Sequence, residues 1–351
     1  MSKFNGNKIS VEIYGTSHAK EIGVIAKGFP TFEIDKEKLN FFLERRKASS
    51  SVFSTSRKEA DVPIFNGLTG NVLNSDWEAK IQNANVKSGD YNELYGKPRP
   101  SHADYSSFVK DKTLDFAGGG RFSGRLTAPF CIAGGIAKQY LKKMGIKVCA
   151  YVSEIGKIKA KSYKTSKITT DMIEREITPE FPSLDKREDI INEIAVAKKN
   201  GDSVGGRIEC VVSGLKAGIG DNLFSGLEGK ISYLIYSIPG VKGVEFGLGF
   251  GLCSEFGSFV NDEFYFDNDI VKTKTNNSGG INGGISNGND ITLSVAMRPT
   301  PSIAKEQNTV DLVNKTNTKI LIKGRHDACI VPRAVPVVES AVALALLDEI
   351  L

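Results

Sequence analysis

The sequence predicts an α+β fold, and three observations carry that prediction. Segments with the period-two alternation of strands and segments with helical spacing both occur, but they do not alternate as the βαβ units of a parallel sheet would. No fixed-period repeat and no long Pro- or Ser-rich linker divides the 351 residues, so one domain spanning 1–351, with several functional loops, is expected. Hydrophobic residues at 40% and charged residues at 25% are the composition of an ordinary globular protein with ample core.

The elements follow in chain order. Ile9, Val11 and Ile13 alternate with Ser10, Glu12 and Tyr14, which reads as a half-buried strand with Ser17 and His18 in the loop leaving it. Residues 21–25 read as a further strand, which argues against a hydrolase nucleophile elbow at Gly15-Thr16-Ser17-His18-Ala19. Asp35 is placed to cap a helix running through Leu39, Phe42 and Leu43 to about Arg46, whose last turn delivers Arg45, Arg46 and Lys47 into a loop. That loop, 48–57, is rich in hydroxyls; Val52 and Phe53 interrupt it and basic residues bracket it, so it is read as functional rather than as a linker. A helix is expected from Thr127 to Lys143, with Pro129 tolerable in its first turn. Another is expected from an N-cap at Ser183 through Ile191, Ile194 and Ala197 to a stop at Gly201. Strand-like alternation returns at 207–212 and 291–297, and 337–351 is apolar enough for a buried helix.

A net charge of +5 is modest for this length, which argues against a dedicated nucleic-acid binder and suits a local anion site. The partner expected is a small acid. Five widely spaced cysteines indicate neither a disulfide framework nor a zinc site, and their use points to a reducing compartment. The first residues lead into polar sequence without an apolar h-region, and no run of 18 apolar residues occurs, so a cytosolic protein without membrane association is expected.

The chemistry concentrates in a few clusters. The three histidines stand in Gly15-Thr16-Ser17-His18, Arg99-Pro100-Ser101-His102-Ala103-Asp104 and Gly324-Arg325-His326-Asp327, and imidazoles flanked by arginine or aspartate point to proton transfer near a bound anion. Their spacing lacks metal-ligand character, so no metal is expected. Gly118-Gly119-Gly120-Arg121-Phe122-Ser123-Gly124-Arg125 joins backbone freedom, two guanidiniums and a hydroxyl just before a helix, which is phosphate-binding chemistry. The run from Asn276 to Gly284 either wraps a planar or phosphorylated cofactor with the Arg298-Pro299-Thr300-Pro301-Ser302 loop, or makes a hairpin. Gly247-Leu248-Gly249-Phe250-Gly251 is not followed by a helical pattern and is discounted as a dinucleotide motif.

Taken together, these segments resemble the chorismate synthase family from end to end: the two histidine motifs at Gly15 and Arg99, the Arg45-Arg46 loop to Glu59, Gly118 to Arg125, Ser237 to Glu245, Gly279 to Gly284, and Gly324 to Asp327. The resemblance implies a fold with helices layered between antiparallel sheets, and a lyase that converts 5-enolpyruvylshikimate 3-phosphate to chorismate and phosphate by 1,4-anti elimination with reduced FMN. It implies Arg45, Arg46, Arg99, Arg125 and Arg325 as substrate-binding residues, and His18, His102, Ser17 and Asp327 as catalytic ones. His18 would act on the leaving phosphate, His102 beside the flavin, and Ser17 with Asp327 as a proton relay. Flavin contacts carry over onto Arg121, Phe122, Ser123, Pro239, Gly240, Gly283, Arg298, Pro299, Thr300, Pro301, Ser302 and Arg325, and Arg46 also aligns with a position linked to NADPH. A homotetramer and an external flavin reductant are expected. The chain departs from the family pattern at Thr16, Ala19, Val52, Ser101, Asn277 and Ala328; a glycine usually stands where Ser101 does. The alternatives are a non-catalytic flavin- or phosphate-binding protein of the same fold and, more distantly, an RNA-binding module using the Gly-Arg segment.

Overall fold

Two antiparallel sheets enclose a layer of helices in the computed structural model, which describes residues 2–17, 19–47, 60–83, 94–114, 116, 119–322 and 327–351. The first sheet contains β1 (Ser2–Asn5), β2 (Ser10–Tyr14), β3 (Glu21–Lys27), β4 (Phe32–Glu33), β5 (Ile64–Thr69) and β6 (Val72–Gln82), in the order β1-β2-β3-β6-β4 with β5 also on β6. The second contains β7 (Lys147–Ile155), β8 (Ile158–Lys159), β9 (Gly206–Ser213), β10 (Val241–Phe246) and, after two hairpins, β15 (Ile291–Met297), in the order β10-β15-β9-β7-β8. The hairpins are β11 (Phe264–Asp267) with β12 (Ile270–Thr273) and β13 (Ile281–Asn282) with β14 (Ile285–Ser286); a third pairs β16 (Glu306–Asp311) with β17 (Thr316–Leu321). The helices are α1 (Lys36–Glu44), α2 (Asp104–Asp111), α3 (Thr127–Lys143), α4 (Thr170–Glu176), α5 (Arg187–Lys199), α6 (Leu227–Tyr236), α7 (Gly257–Val260) and α8 (Val331–Ile350). Every strand pairing among the described residues is antiparallel, as the α+β expectation requires.

The layering follows from which faces are apolar. Ile22, Val24 and Ala26 on β3 and Leu73, Trp77, Ala79 and Ile81 on β6 are buried against α3, while α8 packs on β7 and β9 of the second sheet. Helix α8 is buried along nearly its whole length, which is what a helix apolar on all sides must achieve. Its few polar side chains are engaged: Asp348 accepts hydrogen bonds from the backbone N–H groups of Asn7, Lys8 and Ile9, tying the far end of α8 to the β1–β2 turn. Helices α3 and α8 lie so close that a Cβ on Gly134 would collide with Ser340. Glycine is used there for backbone approach.

Asp35 caps α1 as the sequence predicts, its side chain accepting from the Lys38 N–H at 2.9 Å. The capping of α5 by Ser183 does not occur. Lys186, at φ +57°, precedes the first turn, and Ser183 Oγ donates to Val152 O at 2.8 Å instead. A buried hydroxyl beside a strand carbonyl is better satisfied by that tertiary bond than by a helix three residues away. Residues 207–212 and 291–297 form strands as expected, but they are buried on both faces rather than alternating. On β9 helix α8 covers one face, and a cluster of Tyr151, Val211, Ile168, Ile173 and Ile177 under α4 covers the other. On that outer face Glu209 is fully buried and accepts from Tyr151 Oη at 2.5 Å, Ser162 Oγ at 2.6 Å and Tyr163 N at 3.0 Å.

Candidate active site

A cavity of about 330 Å³ opens where α3 and α8 begin, and both helices present their N-termini to it. Each such terminus carries unsatisfied N–H groups and favourable potential for an anion. The side chains reinforce that field: Arg46, Lys47, Arg99, Arg125, Arg298 and Arg333 line the cavity against two carboxylates, Asp61 and Asp327. Apolar side chains line it as well: Phe122, Ile238, Met297, Ile330, Ala334 and Val337, three of them at the start of α8 around Arg333.

Arg46 arrives from the C-terminal end of α1 and is 4% exposed. Its Nε donates to Thr127 Oγ1 at 2.9 Å, Nη1 to Asp61 Oδ2 at 3.1 Å and Nη2 to Gly124 O at 3.1 Å, so the guanidinium braces the start of α3. Burial and the nearby Arg333 guanidinium draw it down to about 10, and it remains charged at neutral pH. Arg125 donates from Nη1 to Asp61 Oδ1 at 2.5 Å and from Nε to Asn83 Oδ1 at 3.1 Å. Arg333, in the first turn of α8, pairs with Asp327 Oδ2 at 2.6 Å and donates from Nε to Arg46 O at 3.1 Å.

His102 is held by its neighbours. Its Nδ1 lies 2.5 Å from Asp104 Oδ1, and Asp104 also accepts from Arg99 N, Nε and Nη2 at 2.9, 2.7 and 2.8 Å. Burial raises the Asp104 carboxyl, but hydrogen bonds and charge from Arg99 and His102 more than offset it and hold the group at about 2. An ionised Asp104 accepts from Nδ1–H, which assigns the other ring nitrogen, Nε2, to the cavity side. A Cβ built on Gly119 would lie 3.7 Å from that Nε2. The loop 298–302 is pinned beside it: Arg298 Nη1 donates to Ser101 O, Thr300 Oγ1 to Asp327 O at 2.8 Å, and Ser203 Oγ to Thr300 O at 2.7 Å.

Of the residues expected from the sequence, His102, Arg46, Arg99, Phe122, Ser123, Arg125, Pro239, Gly240, Arg298, Pro299, Thr300, Pro301, Ser302 and Asp327 line this one cavity. His18 and Arg325 lie outside the described residues, as do His326, Val52 and the rest of the 48–57 loop. Arg45 is not brought to the cavity. Its guanidinium makes a bidentate pair with Glu339 at 3.0 and 2.9 Å inside the helix layer, where Lys138 and the Ala150 N–H complete the carboxylate's partners. Arg121 is paired with Asp111, stacks on Phe122 with its guanidinium carbon 4.9 Å from the ring centre, and borders an adjoining hollow with Thr16, Ser107 and Phe116. Gly283 occupies the turn of the β13–β14 hairpin, at φ +61° followed by Gly284 at +87°, and does not line the cavity. Ser17 does not line it either; its Oγ is buried without a hydrogen-bond partner.

Sequence reasoning passed over Asp61, Arg333 and the role of Asp104. Asp104 had a visible signal, a carboxylate two residues after a histidine, whereas Asp61 and Arg333 are brought to the cavity only by the packing of α1, α3 and α8.

The cavity suits a planar ring with an anionic tail. Apolar and basic side chains both line it, and at Gly240, φ +96°, a Cβ would sit 3.1 Å from Ile330 Cδ1, so the bare backbone keeps that part of the lining open. The family model described as chorismate synthase matches residues 9–351. The chain belongs to the chorismate synthase family. It is 40% identical to the chorismate synthase of Dehalococcoides mccartyi strain BAV1 over 99% of this chain and 96% of that protein. To the chorismate synthase of Thermococcus kodakarensis it is 40% identical over 99% and 97% of the two chains, and to that of Methanocaldococcus jannaschii 40% over 98% and 94%. A solved structure titled "Crystal Structure of Chorismate Synthase" superposes with a TM-score of 0.75 at 25% identity, covering 98% of this chain and 92% of that one. Membership makes the chain a lyase of the shikimate pathway, serving aromatic amino-acid biosynthesis.

Proposed function

We propose that the cavity binds 5-enolpyruvylshikimate 3-phosphate beside reduced FMN and that the chain eliminates phosphate from it to give chorismate. The observation that carries this reading is the convergence of six basic side chains and two helix N-termini on one cavity that apolar side chains also line. A substrate with two carboxylates and a phosphate requires such compensation, and guanidiniums suit these planar anions. Reduced FMN, when bound, supplies the electron density that relieves electron deficiency as the allylic C–O bond to phosphate breaks.

The chain's own residues position and protonate. Phe122, Ser123, Pro239, Gly240 and the 298–302 loop border the space for the flavin, with Arg121 at its margin. Arg125 faces the anionic substrate, while Arg46 and Arg99 act mainly by bracing the neighbouring turns. His102 holds or releases a proton at Nε2, with Asp104 fixing its tautomer. His18 and Arg325 keep the roles implied by the family, on phosphate departure and anion binding. Asp327, steadied by Arg333, accepts a proton at the cavity, and the relay with Ser17 that the family implies requires the Ser17 Oγ, buried outside the cavity lining, to move towards the bound ligands. The proposed unit is the single catalytic domain 1–351.

The protein works in the cytosol as a homotetramer, with FMN reduced by an external reductant. Exposed Phe250, Phe256, Phe259, Phe264 and Phe266 support self-association, and free cysteines, four of the five buried, suit a reducing compartment. The test is anaerobic turnover with chemically reduced FMN, following chorismate absorbance and phosphate release, with oxidised FMN as control. Turnover with reduced flavin only is expected; substrate and flavin binding without product would overturn the reading.

A further inference from the structure

We propose that Asp61, to which the family resemblance assigns no role, is a positioning residue of the anion site: its carboxylate orients the Arg125 guanidinium for turnover and limits the positive charge around it. This rests on the cavity being the substrate site. Asp61 is 6% exposed, and its two oxygens accept separately from Arg125 Nη1 at 2.5 Å and Arg46 Nη1 at 3.1 Å. Arg46 is itself fixed by Thr127 Oγ1 and the carbonyls of Gly124 and Arg125, so Asp61 connects the scaffold to Arg125 through an anchored partner. The other cavity carboxylate, Asp327, is engaged by Arg333 on a different side of Arg46.

The backbone supplies an independent observation. Asp61 stands at φ +46°, in the left-handed region that residues with a side chain enter rarely and at a cost. Aspartate is among the side chains that enter this region most readily, and here the conformation coincides with a carboxylate that bridges two cavity arginines.

Neutralising Asp61 has opposite effects on binding and turnover. The field of Arg46, Arg125 and Arg333 becomes more positive, so anion binding is kept or tightened, while Arg125 loses the bond that orients it. An interaction that matters chiefly in the transition state appears in kcat. Asp61→Asn is the informative variant, because asparagine tolerates left-handed backbone. Asp61→Gly, which relieves the strain, is the second variant should the first fold poorly.

Two measurements on the full-length chain test the idea: the Kd for inorganic phosphate by calorimetry, without flavin, and kcat and KM with reduced FMN. Both variants should bind phosphate as tightly as the parent or more so, with kcat down about 10-fold or more and KM not raised. Arg125→Ala should lower kcat at least as much and, unlike the Asp61 variants, also raise KM and the phosphate Kd by about 10-fold. Variants at Asp61 with a raised phosphate Kd and an intact kcat, or with both unchanged, would overturn the assignment. A parent protein that binds substrate and flavin without turnover would instead remove the reading beneath it.

Discussion

Replacing Asp104 by asparagine tests the polar lock on His102 on two independent scales. In the folded chain the Asp104 carboxyl sits at about 2, against an ordinary value near 3.8, because Arg99 and His102 outweigh the burial that raises it. At about 1.4 kcal/mol per tenfold in proton affinity, and allowing for partial solvent screening, that difference is about 2 kcal/mol of stability at neutral pH. Asparagine also leaves Arg99, 5% exposed, beside a neutral partner, which brings the expected loss to about 3 kcal/mol, at the low end for breaking a buried pair. For a chain of this length that is an apparent Tm lower by about 4 °C. The folded value lies below the unfolded one, so the contribution is complete above about pH 5 and is lost as pH falls through the folded value near 2. Parent and variant should therefore differ in urea unfolding at pH 7, and the gap should narrow to about a third of its neutral-pH size by pH 2.5. In turnover, an imidazole without its carboxylate loses the fixed Nδ1–H tautomer, and kcat should fall about 10²-fold with little change in KM. Nitrogen-15 NMR of His102 should show the tautomer becoming mixed. A variant within about 0.5 kcal/mol of the parent at pH 7, or one whose deficit persists unchanged at pH 2.5, would refute the reasoning.

His102→Ala should cut turnover by about 10²- to 10⁴-fold with the fold intact by circular dichroism, and a near-normal rate under saturating reduced flavin would remove the proton-transfer role. Glu339→Ala should cost about 3–5 kcal/mol in denaturant unfolding, since Arg45 and Lys138 then remain beside α8 without their counter-charge. Burial opposes ionisation of Glu339, but those two cations hold it below the usual carboxylate range, so the parent's advantage should shrink as the solution is acidified below about pH 4. Ser101→Gly should stabilise by about 0.5–1 kcal/mol, because Ser101 stands at φ +59°, a left-handed conformation that glycine adopts without steric cost; a melting temperature that falls would contradict this.

The two halves of the site differ in how far the sequence reveals them. The His102 cluster is a local motif: histidine, alanine and aspartate sit within one turn, so their contact follows from the start of α2 with little help from the rest of the chain. Arg45 and Arg46 show the opposite case. Adjacent residues at the end of α1 point about 100° apart, and only the placement of α3 and α8 decides that one meets Glu339 in the interior and the other Thr127 at the cavity. Side-chain chemistry is the same for both, so no reading of residue type separates them. Ser183 likewise has the right identity for an N-cap, but Val152 O from a distant strand takes its hydroxyl.

By itself the sequence determined the α+β class, the extents of α1 and α3, the strand β2 and the residues from which an anion site is made. These are properties of period and local chemistry, which survive without knowledge of neighbours. Only the tertiary structure decided that β9 and β15 are covered on both faces, that Gly283 turns a hairpin outside the cavity, and that Asp61 and Arg333 join the arginines at the helix N-termini. Each of those depends on contacts between segments far apart in the chain, where packing selects one face of an element and discards the other.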